Sequence, residues 1–138
     1  MCTSGTRDRN VYWPGGAPGT LHMRFFATVS NNGSLTAPLA LSIGLESWRE
    51  DINGTYQPQF PRCTATAPLQ IWSMVSVPLW MGGGLSDVSW LVARLSLTGF
   101  AEPGATRATA GRAFLDRLEV TAPGAVPDWQ VGLPVVHC

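Results

Sequence analysis

The chain has 138 residues, of which 45% are hydrophobic and only 13% charged. That is one domain's worth of polypeptide with enough apolar surface to build a core, and it excludes a disordered chain. Nine arginines balance nine carboxylates, lysine is absent and the formal net charge is zero, so nothing in the composition points to nucleic acid or to an anionic membrane surface as a partner. Weak self-repulsion suits a protein that ends up packed in an assembly. No apolar run is long enough to span a bilayer, and the first thirty residues lack the basic start and apolar run of a signal peptide. Cys2, Cys63 and Cys138 are too far apart for a zinc ribbon or a CxxC pair, so the expectation is three free thiols in a reducing cytosol.

In chain order, residues 1–20 contain the stretch WPGGAPG and no hydrophobic periodicity, which predicts an N-terminal arm. Residues 21–30 (LHMRFFATVS) read as a strand closed by Asn31-Asn32-Gly33. Leu39, Leu41, Ile43 and Leu45 then occupy every second position, the clearest period-2 signal of a strand with one buried face. Residues 46–68 are polar and hold Asn53-Gly54, Pro58, Pro61 and Pro68, a long loop or short edge hairpin. The two N-x-[S/T] sequons, at Asn32 and Asn53, read as Asn-Gly turns.

Leu69, Ile71, Val75, Val77 and Leu79 predict another strand, with Pro78 marking an edge or bulge near its end. Residues 88–97 and 112–120 fit either a helical stripe or a strand. Gly99, Pro103-Gly104 and Pro123-Gly124 cut both to strand length, and 12 Thr with 10 Ser favour extended chain. Residues 123–138 form a Pro/Gly-punctuated extended tail. The architecture expected is therefore all-β: a two-sheet antiparallel sandwich over 21–122, flanked by an arm at 1–20 and a tail at 123–138.

Catalytic constellations are thin. His22 has no acid or thiol in its own segment, and His137 stands one residue from the end. Glu46, Glu50 and Asp51 cluster around Trp48 at the exit of a strand, a common place for solvated charge. Asp116 is the one acid in the row Phe114, Leu118, Val120; pairing with Arg112 or Arg117 is the plain reading, a structural calcium the sharper one. The glycines at 82–84 lack the Lys and Ser/Thr of a phosphate loop. No enzyme activity and no cofactor are expected.

Six tryptophans carry more information. Trp72 falls opposite the Leu69/Ile71/Val75 row and Trp90 opposite the Leu91/Leu95 row. An outward aromatic on a sheet is a sugar-stacking platform, a protein-interface anchor, or a surface covered by the chain's own arm.

Residues 20–122 resemble the jelly rolls of carbohydrate-binding modules. The resemblance lies in Phe25-Phe26, in Leu69-Gln70-Ile71-Trp72, in the alternating Leu91–Leu97 segment, and in the closing run Ala113-Phe114-Leu115-Asp116-Arg117-Leu118-Glu119-Val120. In such modules the closing-strand Asp lies near a calcium, which is why Asp116 is retained. With Pro/Gly-rich arms and no charge, the chain is also similar in size and plan to the jelly-roll cement (decoration) proteins of tailed bacteriophages. That resemblance implies a non-enzymatic virion protein, made in the host cytoplasm and placed on the capsid exterior. Its partners would be the major capsid protein and other copies of itself, a dimer being favoured, with no nucleic acid and no membrane. Tyr12, Trp13, Trp129, Val135 and Val136 would anchor the arms. The alternative is a glycan-binding module on a virion or tail surface, using Trp48, Trp72 or Trp90.

Overall fold

The computed structural model describes residues 2–12, 18–31, 39–51, 53–58, 62–79, 90–101 and 109–136. These form nine strands: β1 (Cys2–Tyr12), β2 (Gly19–Asn31), β3 (Leu39–Glu50), β4 (Tyr56–Pro58), β5 (Cys63–Thr66), β6 (Trp72–Leu79), β7 (Trp90–Ala101), β8 (Thr109–Thr121) and β9 (Val135–Val136). A single 3-10 turn at Asp128–Gln130 interrupts the tail. One sheet has the order β1-β7-β3-β4, with β5 beside β4 along the same edge of β3. The other has the order β8-β2-β6-β9, antiparallel except for the parallel β6–β9 pair. The two pack face to face as a β-sandwich, as expected.

The core follows from the period-2 rows. Leu21, Met23, Phe25 and Ala27 of β2 and Val75, Val77 and Leu79 of β6 meet Ile43 and Leu45 of β3 and Leu91, Ala93 and Leu95 of β7. Each is essentially removed from water, and full burial of each of the larger side chains, the two alanines apart, contributes about 1.5–3 kcal/mol of hydrophobic stabilisation. Both segments that fitted either period are strands. Leu91, Ala93 and Leu95 point inward while Val92, Arg94 and Ser96 do not, and β7 is held on both sides by β1 and β3, a pairing no helix would satisfy.

Four expectations need correction. Residues 2–12 are not an arm: β1 pairs with β7 over its whole length, from Cys2 opposite Phe100 to Tyr12 opposite Trp90. Its inward row carries Arg7 and Arg9 where apolar residues are the usual signal, so the alternation is one of charge and is invisible to a hydrophobicity pattern. The strand expected from Leu69 begins only at Trp72. Gln70 adopts a left-handed backbone (φ 63°), which breaks the apolar row and leaves Leu69 and Ile71 exposed. Thirdly, Cys63 is buried on β5 and disulfide-bonded, so the chain does not carry three free thiols. Sequence separation had said nothing about spatial proximity, and the inference to a reducing compartment goes with it.

The fourth correction concerns Asp116. Between Arg24 and Phe25 the β2–β8 register shifts. Arg24 faces Arg117 and Phe25 faces Leu115, so Asp116 is the extra residue of a β-bulge. A bulge reverses which side chains face inward. Leu118 and Val120, beyond it, oppose the core residues Met23 and Leu21, whereas Phe114, before it, opposes Phe26 on the outer face. Phe114 and Leu118 are therefore not members of one row, and Asp116 sits in neither.

The reading of 46–68 as an edge hairpin holds in part. Asn53-Gly54 turns β3 into β4, with Gly54 at φ 81° and its N–H donating to the Asp51 carbonyl at 3.1 Å. Pro78 lies beyond the short stretch of β6 that pairs with β9, so its missing N–H costs no ladder bond on that side. Asn32-Gly33 lies outside the described residues.

Candidate functional site

Two surfaces carry the aromatic residues, one on the outer face of each sheet. On the β8-β2-β6 sheet, Phe114, Phe26 and Trp72 stand directly opposite one another across three strands. The Phe26 and Trp72 rings are tilted at 52° with centroids 5.4 Å apart, a favourable edge-on geometry. Phe114 at the β8 end is 52% exposed. The Arg24 guanidinium lies 4.7 Å from the Trp72 ring centroid and its Nη1 is 3.0 Å from Asp116 Oδ2. The bulge places that carboxylate there, and Arg117 Nε stands 3.8 Å from the same oxygen. Of the pairings expected for Asp116, Arg117 is present, Arg112 is not its partner, and the principal one, Arg24, comes from the neighbouring strand.

The tail decides how far this row extends. The segment after β8 leaves from one edge of the sheet and re-enters as β9 beyond the opposite edge, crossing the outer face on the way. Beneath it lies His22, 3% exposed, with Nδ1 2.7 Å from Ser76 Oγ and Nε2 2.8 Å from Thr121 Oγ1. Thr121 Oγ1 in turn donates toward the Ala125 carbonyl at 3.0 Å. That leaves the hydroxyl to accept from His22, so Nε2 carries the proton and Nδ1 accepts from Ser76. Burial holds the imidazole pKa below its usual value, opposed by the nearby Glu119 carboxylate. His22 is thus a buried histidine on the outer face of β2, held between two hydroxyls. Met74 is also buried, and its N–H donates to the Pro134 carbonyl at 2.8 Å. The tail covers this half of the face, whereas in the other half Phe114 is exposed and Phe26 and Trp72 are half-buried.

On the other sheet, Trp48 faces outward from β3. Its Nε1 donates to Glu46 Oε1 at 3.1 Å, and the Arg94 guanidinium lies 5.3 Å from its ring centroid. Arg94 is held by a bidentate pair to Asp8, at 2.8 and 2.9 Å, which lowers the Asp8 pKa. Glu46 also meets Arg62 at 3.2 Å. The acids around Trp48 therefore do not converge. Glu46 braces the indole, while Asp51 Oδ1 accepts the N–H groups of Asn53 and Thr55 at 2.8 and 2.9 Å, bonds that lower its pKa.

The remaining expected residues are scattered. Tyr12 ends β1 and is 62% exposed. Trp13 and His137 lie outside the described residues, as does the side chain of Trp90. Trp129 is half-buried in the 3-10 turn, and Val135 and Val136 are strand residues paired with Met74 and Val75. Val136 belongs to the core, so the C-terminal pair expected to anchor on a shell anchors instead on this chain's own sheet.

Among the described residues, no group of three or more His, Cys, Asp or Glu is placed to hold a metal ion, and no helix is long and apolar enough to cross a membrane. Two features escaped the sequence reading. Arg49, 1% exposed, points inward from β3 with no hydrogen-bond partner for Nε or Nη1 among the described residues, and desolvation lowers its pKa. The other is the side of the sandwich between edge strands β1 and β8, where a groove of about 490 Å³ separates the sheets. Compared with family models, with curated proteins and with solved structures, the chain shows no match.

Proposed function

We propose that the protein is a structural, non-enzymatic β-sandwich of the jelly-roll kind that attaches to the outside of a capsid lattice and cements neighbouring capsomers. The observation that carries this reading is the aromatic row Phe114–Phe26–Trp72, half-buried at Phe26 and Trp72 and exposed at Phe114, which runs out to the outermost strand β8. An apolar row ending at an outermost strand is a surface suited to being covered by another protein. The neutral, charge-poor composition is in keeping with a surface that is desolvated on assembly. His22, Glu46, Asp51 and Asp116 each make structural contacts, which supports a role without chemistry. With the C-terminal valines engaged in β9, attachment is assigned to the sheet face and the outermost strands, which also serve self-association into a homo-oligomer, a dimer first.

The second reading, glycan binding, has the same aromatic row in its favour. The guanidinium groups weigh against it: Arg24 over Trp72 and Arg94 over Trp48 each occupy a ring face that a sugar would need. Sedimentation of the purified protein with capsid shells from its source tests the proposal. Saturable binding in a fixed ratio to the major capsid protein is expected. Absence of binding, together with a tryptophan-fluorescence response to an oligosaccharide, would overturn it in favour of the glycan reading.

A further inference from the structure

We propose that the groove between β1 and β8 binds an extended peptide segment in which carboxylates alternate with apolar residues. The groove, about 490 Å³, is lined by Arg7, Arg9 and Arg112 above a floor that includes Leu95, Leu97 and Leu115, a size and an apolar-with-few-charges lining typical of ligand sites. None of the three arginines is ion-paired among the described residues, whereas Arg24, Arg62, Arg94 and Arg117 all have carboxylates within 4 Å. Among the described residues, no carboxylate lines this cavity. A second, smaller cavity continues it along Arg9, Val11, Met23 and Leu118, and there the one acid, Asp116, already bridges Arg24 and Arg117.

Inward charges on an edge strand are a known device against edge-to-edge aggregation. That device needs no cavity and no apolar floor, and both are present. Arg7 and Arg9 project from alternate positions of β1, opposite Leu95 and Ala93, hence about 6.8 Å apart. Alternate residues of an extended peptide have the same spacing, so carboxylates at i and i+2 meet the two guanidinium groups. The apolar residues between them face the other way, toward the half-buried row of β8. Both β1 and β8 are the outermost strands of their sheets, so the groove lies along the side of the sandwich.

The inference goes beyond the capsid reading, and its test needs only the purified chain. A fluorescein-labelled hexapeptide alternating Glu and Val is titrated with the protein and followed by anisotropy, beside the same peptide with Gln in place of Glu. Saturable binding of the Glu/Val peptide is expected, about tenfold or more tighter than the Gln/Val peptide and weaker at high salt. The Arg7→Gln/Arg9→Gln protein should lose about tenfold or more in affinity and Arg62→Gln, outside the groove, nothing. Because Arg7 and Arg9 are exposed, their replacement should leave the melting temperature unchanged, which separates lost binding from lost fold. No saturable binding, equal binding of the two peptides, or binding indifferent to the double substitution would each overturn the assignment. None of these results bears on sedimentation with shells, so the two proposals fail separately.

Discussion

Replacing Arg49 with methionine should make the protein more stable. Arg49 is essentially removed from water on the inward face of β3, between Ser47 and the end of the strand, and its Nε and Nη1 make no hydrogen bond among the described residues. An unsatisfied buried donor costs about 1–3 kcal/mol, so the two together set the folded chain back by roughly 2–6 kcal/mol relative to water. Methionine keeps most of the apolar stem and removes both donors and the charge. It leaves part of the guanidinium volume empty, a void that returns about 1 kcal/mol or more. The net expectation is a gain of about 1–3 kcal/mol, in line with replacement of buried ions by apolar residues elsewhere. For a domain of this size that is a rise in melting temperature of roughly 3–5 °C per kcal/mol.

Urea unfolding with an unchanged m-value provides the assay, because only the midpoint should move. Arg49→Ala, which also removes the stem, should lie about 2 kcal/mol or more below the methionine variant. A methionine variant less stable than the parent by 1 kcal/mol would refute the reasoning. It would mean that the folded protein supplies Arg49 with a partner whose loss outweighs the desolvation.

Three further outcomes are expected. His22→Ala removes two hydrogen bonds to hydroxyls and opens a void beneath the tail, costing about 2–4 kcal/mol by urea unfolding. Because the folded imidazole pKa is held below 6.5, its contribution is complete above that pH. It is lost as the pH falls through the window below, where the unfolded chain takes up a proton that the folded chain resists, with a slope of at most about 1.4 kcal/mol per pH unit. A stability profile between pH 5 and 7 that is identical in the parent and His22→Gln would count against this. Phe114→Ser should change stability by no more than about 0.5 kcal/mol, the ring being half exposed, yet weaken attachment to shells; unaltered attachment would remove the aromatic row from the interface. Cys63→Ser should cost about 2–5 kcal/mol through loss of the disulfide, seen as a lower urea midpoint that reductant also produces in the parent and does not lower further in the variant.

Much of the fold was legible because burial on a sheet imposes period 2, and β2, β3, β6 and β7 each show that alternation in their apolar residues. Turn chemistry was equally local: Asn53-Gly54 closes a hairpin because glycine tolerates the positive φ required there. β1 was illegible for a related reason. On a splayed edge the inward positions need not be apolar, so Arg7 and Arg9 carry the alternation without the hydrophobic signature. The candidate site was half legible. Trp72 was recognisable as an outward aromatic, but Phe114 was assigned to the inward row because counting by twos cannot see a bulge.

Composition and alternation by themselves determined that this chain is an all-β sandwich with an apolar interior and no net charge, since those properties depend only on residue type and its period along the chain. Everything that turns on which strands lie side by side was decided by tertiary structure. Pairing brings Phe26 to Phe114 and Trp72, carries Arg24 over Trp72 to Asp116, folds the tail across His22, and leaves Arg7, Arg9 and Arg112 together around one groove. These contacts join residues tens of positions apart, and a sheet's register, unlike its periodicity, is a property of two strands at once.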